Sequence, residues 1–149
     1  MYYVVISACV VALDFITKYL AVEYLEKIGT FPLIKNVFHL TYVENTGAAF
    51  GILKDARWVF ISLTILVVAG IIYMIRVKKF TDIWLKTALA LIIGGAAGNL
   101  IDRVFLGYVV DFFDFRLINF AVFNVADSCI VIGAVILLLY VVVKKDGEI

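Results

Sequence analysis

Residues 123–139 read FNVADSCIVIGAVILLL, an apolar run with the length to enter a bilayer and a carboxylate, Asp127, one turn inside its start. A charge at the centre of a membrane costs roughly 2.5–3.5 kcal/mol on insertion scales and less toward the interface, so a chain keeps one there only under constraint. Whether Asp127 stands alone or meets other polar groups decides whether this helix is a plain anchor or one wall of a site.

The whole chain has the composition that such a run suggests. Of its 149 residues 65% are hydrophobic, the mean hydropathy is +1.11 and there is a single proline, which is the make-up of a membrane protein. Thirteen basic and twelve acidic residues leave a net charge of +1, with no basic tract interleaved with aromatics, so nucleic acid is not an expected partner. Cys9 and Cys129 fall in apolar runs without a CxxC pattern and read as small core residues, not as a disulfide or zinc framework. The opening segment, with ISAC at Ile6–Cys9, has the look of a processed export signal. No Lys or Arg precedes it and the apolar stretch before Cys9 is too short, so it is expected to stay as a membrane anchor.

A span needs roughly 20 apolar residues. Four segments qualify, at about 2–22, 58–76, 83–101 and 123–143, and predict an all-α integral membrane protein forming one domain over 1–149. The third span holds GGAAG, Gly94–Gly98, a GxxxG pattern that lets two helix backbones approach closely. Between spans one and two, FPLIKNVFHLTYVENTGAAFGI at 31–52 alternates Phe38, Leu40 and Tyr42 with His39 and Thr41 and turns at ENTG. That is strand chemistry, and a small β-sheet at the outer membrane surface fits it, because an open sheet edge cannot lie in lipid. The aromatic-rich stretch 103–122 reads as interfacial, and Trp58 and other aromatics near span ends suit an aromatic belt. With the N terminus inside, the inner loops hold Arg76, Lys78, Lys79, Lys86, Lys144 and Lys145, and the outer loops hold the other seven basic residues. The dense clusters beside span ends favour both termini in the cytoplasm.

Alternating helix direction puts Asp14, Asp102 and Asp127 at the same membrane face, with Asp111 in the loop between spans three and four. At about 1.5 Å per residue, Asp14 and Asp127 lie roughly 6–12 Å below the ends of their spans. Asn99 and Asp102 are three apart on one helical face, as are Asn124 and Asp127, and Asn45 sits in the turn of the sheet. Lys18 and Arg103 are the nearest cations to Asp14 and Asp102, although adjacent residues on a helix do not face each other. Asp127 has no base nearby in sequence, and Asp111 has only Arg116, with Asp114 closer to compete for it. Two unpaired carboxylates held close in a poorly solvated place cannot both ionise, which leaves an acid and a base side by side, as in aspartic proteases. An isolated aspartate at a span end also serves as a snorkelling or helix-capping group. The lone His39 rules out HExxH zinc chemistry and reads as a surface strand residue. No GxSxG or Ser/Lys pair accompanies Ser7, Ser62 or Ser128, and Ser128 reads as a packing residue. A small proton or cation carrier is the rival reading, although it would spread its charges along a path, and a purely structural subunit is a third.

DFITK (14–18), ENTGAAFG (44–51), GGAAGNLIDR (94–103), VVDF (109–112) and FNVADSCI (123–130), in this order, resemble the motifs of the lipoprotein signal peptidases, or signal peptidase II. The resemblance implies an aspartyl endopeptidase of the bacterial cytoplasmic membrane that removes the signal peptide from prolipoproteins once their cysteine carries a diacylglyceryl group. It implies an active site toward the outer face, no cofactor or metal, contact with membrane lipids, and inhibition by the cyclic peptide globomycin. By motif, Asp111 and Asp127 resemble its catalytic pair. Asn45, Asn99, Arg103 and Asn124 resemble residues that hold substrate and shape the site, with Gly47 and Ala126 in the same motifs, and Asp14, Lys18 and Asp102 resemble its supporting polar shell.

Overall fold

The computed structural model describes residues 1–48, 52–78 and 80–146, the last three by backbone alone. Ala49–Gly51 of the ENTGAAFG motif, Lys79, the side chains of Lys144 and Lys145 and the final residues lie outside this set. Four helices have the length and hydropathy to cross a membrane: α1 (Tyr2–Leu25), α2 (Arg57–Lys78), α3 (Ile83–Phe105) and α4 (Val125–Asp146). Most of their Leu, Ile, Val and Phe side chains point outward, as a lipid-facing bundle requires, because apolar burial against protein gains little when the solvent is itself hydrocarbon.

The helices meet where their side chains are smallest. A Cβ placed on Gly94 would come within 2.8 Å of Val10 Cβ and 3.0 Å of Ser7 Cα, so α3 lies directly on the backbone of α1. Ser7 Oγ donates to the Ala90 carbonyl at 2.8 Å across the same contact. Gly95 faces the Ala126 carbonyl of α4, and Gly133 of α4 faces the Ala88 carbonyl of α3. Gly98 faces a charged group: an added Cβ would stand 2.6 Å from Asp14 Oδ2. Gly98→Ala is expected to push that carboxylate off its partners and destabilise the bundle by about 1–3 kcal/mol, read as a lower unfolding temperature in detergent. An unchanged temperature would contradict the packing.

α1 contacts α3 through the row Ser7, Val10 and Asp14, and Cys9 lies off that row. It is therefore exposed, not a core residue, whereas Cys129 is half-buried.

Three antiparallel strands, β1 (Thr30–Ile34), β2 (Phe38–Asn45) and β3 (Val109–Phe115), form a sheet in that order. The hairpin turns through Asn36 at φ 62°, and Gly29 at φ 72° reverses the chain between α1 and β1. β3 arises inside the stretch that reads as interfacial in sequence. It hides because both of its faces are covered: Val109 through Phe112 and Asp114 are all buried, so no two-residue alternation is left to see. One face packs Val110 and Phe112 against Ala21 and Leu25 at the end of α1. The same stretch begins with the last turn of α3, Arg103–Phe105. The fourth helix starts two residues later than its apolar run, since Phe123 pairs with Phe113 as an isolated bridge. His39 is a strand residue but is buried; its Nδ1 meets Thr30 Oγ1 at 3.3 Å and its Nε2 accepts from the Asn36 N–H at 3.2 Å.

Candidate active site

β2 sets Val43 opposite Asp111 and Asn45 opposite Val109, so one strand register delivers both Asn45 and Asp111 to the end of the helix bundle. Asp111 is 1% exposed. Its Oδ2 accepts from Asn45 Nδ2 at 2.8 Å and its Oδ1 from Asn124 Nδ2 at 2.7 Å. Asn45 in turn accepts the Gly47 N–H at 2.9 Å, which bends the chain over the site.

Asn124 and Asp127 start α4 with a reciprocal cap. The Asp127 N–H donates to Asn124 Oδ1 at 2.9 Å, and the Asn124 N–H donates to Asp127 Oδ2 at 3.3 Å. This is a capping box, which satisfies two backbone donors that a helix start leaves free. The capping reading of Asp127 is therefore correct as far as it goes, but its Oδ1 faces elsewhere and accepts from Asn99 Nδ2 at 2.7 Å. Asn124 thus donates to both carboxylates, through its amide to Asp111 and through its backbone to Asp127.

Behind this pair lies a second polar layer. Lys18 Nζ reaches Asp14 Oδ2 at 2.7 Å, Asp102 Oδ2 at 2.9 Å and Asn99 Oδ1 at 3.0 Å. Asp14 Oδ1 accepts the Ala126 N–H at 2.9 Å, and Asp102 Oδ2 accepts the Val110 N–H at 3.1 Å. One lysine therefore holds two carboxylates, and each carboxylate pins the backbone beside a member of the front pair. The sequence places Lys18 with Asp14, but the fold also gives it Asp102, leaving Arg103 for another task. Arg103 Nη2 donates to the Gly47 carbonyl at 3.1 Å, and its guanidinium stands 4.8 Å from the Phe60 ring centre. Arg57, which nothing in its neighbourhood marks out, donates from α2 to the carbonyls of Arg103 and Val104 at 2.6 and 2.7 Å. Arg116 pairs with Asp114 at 2.8 Å, not with Asp111. Burial works against ionisation of Asp114, but hydrogen bonds from Thr41 and Arg116 outweigh it and hold the carboxyl below its usual range.

Asn45, Gly47, Asn99, Arg103, Asp111 and Asp127 line one cavity of about 510 Å³, whose remaining wall is mostly apolar, with Phe123 and Ile130–Ile132. Asp14, Lys18, Asp102, Asn124 and Ala126 do not line it and sit behind its polar wall. Ser128 is on the rim, its hydroxyl donating to the Asn124 carbonyl at 2.9 Å. Burial, and then the Asp127 charge, push the Asp111 carboxyl up to about 7, against the opposing effect of the Asn45 and Asn124 amides. A larger cavity of about 880 Å³ lies at the other end of α3 and α4, but its carboxylate, Asp82, is occupied in capping α3. Among the described residues no His, Cys, Asp and Glu side chains cluster as metal ligands.

Residues 6–143 match the family model described as signal peptidase (SPase) II. The chain belongs to the signal peptidase II family. It is 56% identical to the lipoprotein signal peptidase of Caldanaerobacter subterraneus subsp. tengcongensis, over 97% of both chains. It is 53% identical to that of Brevibacillus brevis, over 99% of this chain and 98% of the other. Two bacterial membrane enzymes solved by the in meso method share the fold. One, at 2.3 Å resolution, has a TM-score of 0.90 and 32% identity over 99% of this chain and 91% of its own. The other, at 1.9 Å, has a TM-score of 0.82 and 34% identity over 93% and 91%. As a signal peptidase II the chain is a multi-pass membrane peptidase, and the carrier reading loses its support.

Proposed function

We propose that the chain, acting as one unit, cleaves the signal peptide from diacylglyceryl-modified prolipoproteins, with Asp111 and Asp127 as its catalytic pair. The observation that carries this is the convergence of two carboxylates, neither salt-bridged among the described residues, on one amide residue and one apolar-walled cavity. The polar groups gather at one membrane face, and the dense basic clusters beside the opposite span ends favour both termini in the cytoplasm, which makes that face the outer side of the cytoplasmic membrane. The first helix supplies Asp14 and Lys18 to that polar layer and so belongs to the working enzyme.

The chemistry follows from the pair. In the active form Asp111, its pKa raised by burial and by the Asp127 charge, carries the shared proton, and Asp127 takes a proton from a water as the water oxygen attacks the scissile carbonyl carbon. The Asp111 proton passes to the carbonyl oxygen, and Asn45 and Asn99 hold the two carboxyl groups in place meanwhile. When the tetrahedral intermediate collapses, the C–N bond breaks, Asp127 returns its proton to the departing amine, and the carbonyl reforms as Asp111 recovers its own. The apolar wall at Phe123 and Ile130–Ile132 suits the signal peptide and the acyl chains of its lipid, and a globomycin-type cyclic peptide would compete for the same cavity.

Purified protein incubated with a diacylglyceryl-modified precursor should release the signal peptide, and the unmodified precursor should stay intact. Failure to cleave the modified form would refute the assignment. The pH profile checks the pair independently. The pair keeps its single proton below about pH 7 and loses it above, so kcat/KM should fall on the alkaline side near that value. Asn45 stabilises the charged form of Asp111, so Asn45→Leu should move the falling limb to higher pH; a shift to lower pH would contradict the role given to this amide.

A further inference from the structure

A second cleft, of about 320 Å³, backs onto the catalytic cavity and shares with it Asn45, Gly47, Ala48, Asp111, Ala121 and Val122. Asp111 therefore borders two spaces at once. They differ in chemistry. The catalytic cavity continues along the apolar side of α4 through Ile130–Ile132, whereas the cleft continues past Thr46 to the exposed charges of Glu44 and Lys54. Glu44 is partly fixed, since its Oε1 accepts from Tyr42 Oη at 3.1 Å.

A peptide bond cut beside Asp111 has two unlike ends. The upstream segment is apolar and comes from the bilayer, so it belongs on the α4 side. The downstream segment is a polar polypeptide that must leave for water, and the cleft is the water-exposed space that begins at the same carboxylate. We propose that this cleft is the subsite for the residues that follow the cleaved bond, and that Glu44 and Lys54 read their charge. The inference rests on the peptidase reading above and adds to it the polarity of the bound substrate and a source of selectivity.

The test uses the full-length enzyme in detergent and a series of diacylglyceryl-modified peptides carrying Asp or Lys at the two positions after the lipidated cysteine. At low ionic strength Lys54→Glu should lower the Asp-to-Lys ratio of kcat/KM about threefold, and Glu44→Lys should raise it by a similar factor, as expected for exposed ion pairs. In a second measurement, which needs neither variant, a photoreactive residue is placed second after the cysteine and bound to the Asp127→Asn enzyme. It should attach to residues 43–48 or 54. Ratios unmoved in both variants, or attachment to Ile130–Ile132 of α4, would overturn the subsite. A parent enzyme that cleaves every peptide with unmoved ratios removes the subsite alone, whereas one that cleaves none removes the peptidase reading and the subsite with it.

Discussion

Asp127→Asn and Asp111→Asn should each lower cleavage of a lipidated precursor by at least about a thousandfold, with the protein still inserted and folded. A positioned general acid or base is worth about a hundredfold to ten-thousandfold, and removing either member disables both proton transfers. The folded state should survive because each Asn keeps one oxygen for one of the two donors that the carboxylate now binds, and losing the other bond costs about 1–3 kcal/mol. Asp111 takes one hydrogen bond on each oxygen, from Asn45 and Asn124, and Asp127 takes one from Asn99 and one from the Asn124 backbone. Turnover within a few fold of the parent in either variant would remove that residue from the chemistry.

The second large effect concerns Lys18, which touches no part of the cavity. Its ammonium is the single cation bonded to Asp14 and Asp102 among the described residues, and the lysine is 4% exposed. Breaking a buried charge network by deleting one partner costs roughly 3–5 kcal/mol, because the remaining charge is left unpaired in a low-dielectric place. Lys18→Met should therefore lower the unfolding temperature sharply and weaken activity, as the Ala126 and Val110 backbone anchors loosen. Adding Asp14→Asn and Asp102→Asn to the same chain should restore much of the stability by removing the stranded charges. A Lys18→Met variant that unfolds with the parent, or a triple variant no better than the single one, would contradict this account.

Much of this arrangement is legible in the residues alone, for a plain reason. Hydropathy fixes where spans lie, and alternation of helix direction then forces Asp14, Asp102 and Asp127 to one face whichever way the chain inserts. The GxxxG pattern likewise announces a close backbone approach, which the fold realises between Gly94 and Ser7. What stays hidden depends on contacts far apart in the chain. β3 shows no alternation because the end of α1 covers one face and Asp111 on the other enters the site, so burial is continuous from Val109 to Phe112. Lys18 reaches Asp102 across 84 positions, and Arg103 bonds Gly47 instead of its neighbour in sequence, because consecutive helical side chains point about 100° apart. Arg57 carries no local mark, since its role is to hold α3 carbonyls from another helix. The double role of Asn124 is the least visible of all: its spacing to Asp127 suggests a cap, and only the strand register of β3 brings Asp111 to its amide.

That Asp111 and Asp127 work as one unit is tested most directly by a double-mutant cycle in single-turnover cleavage of a diacylglyceryl-modified precursor. With a shared proton the second substitution has nothing left to remove, so Asp111→Asn/Asp127→Asn should retain the same residual rate as either single variant. A double variant slower by the product of the two single losses would mean that the carboxylates act independently.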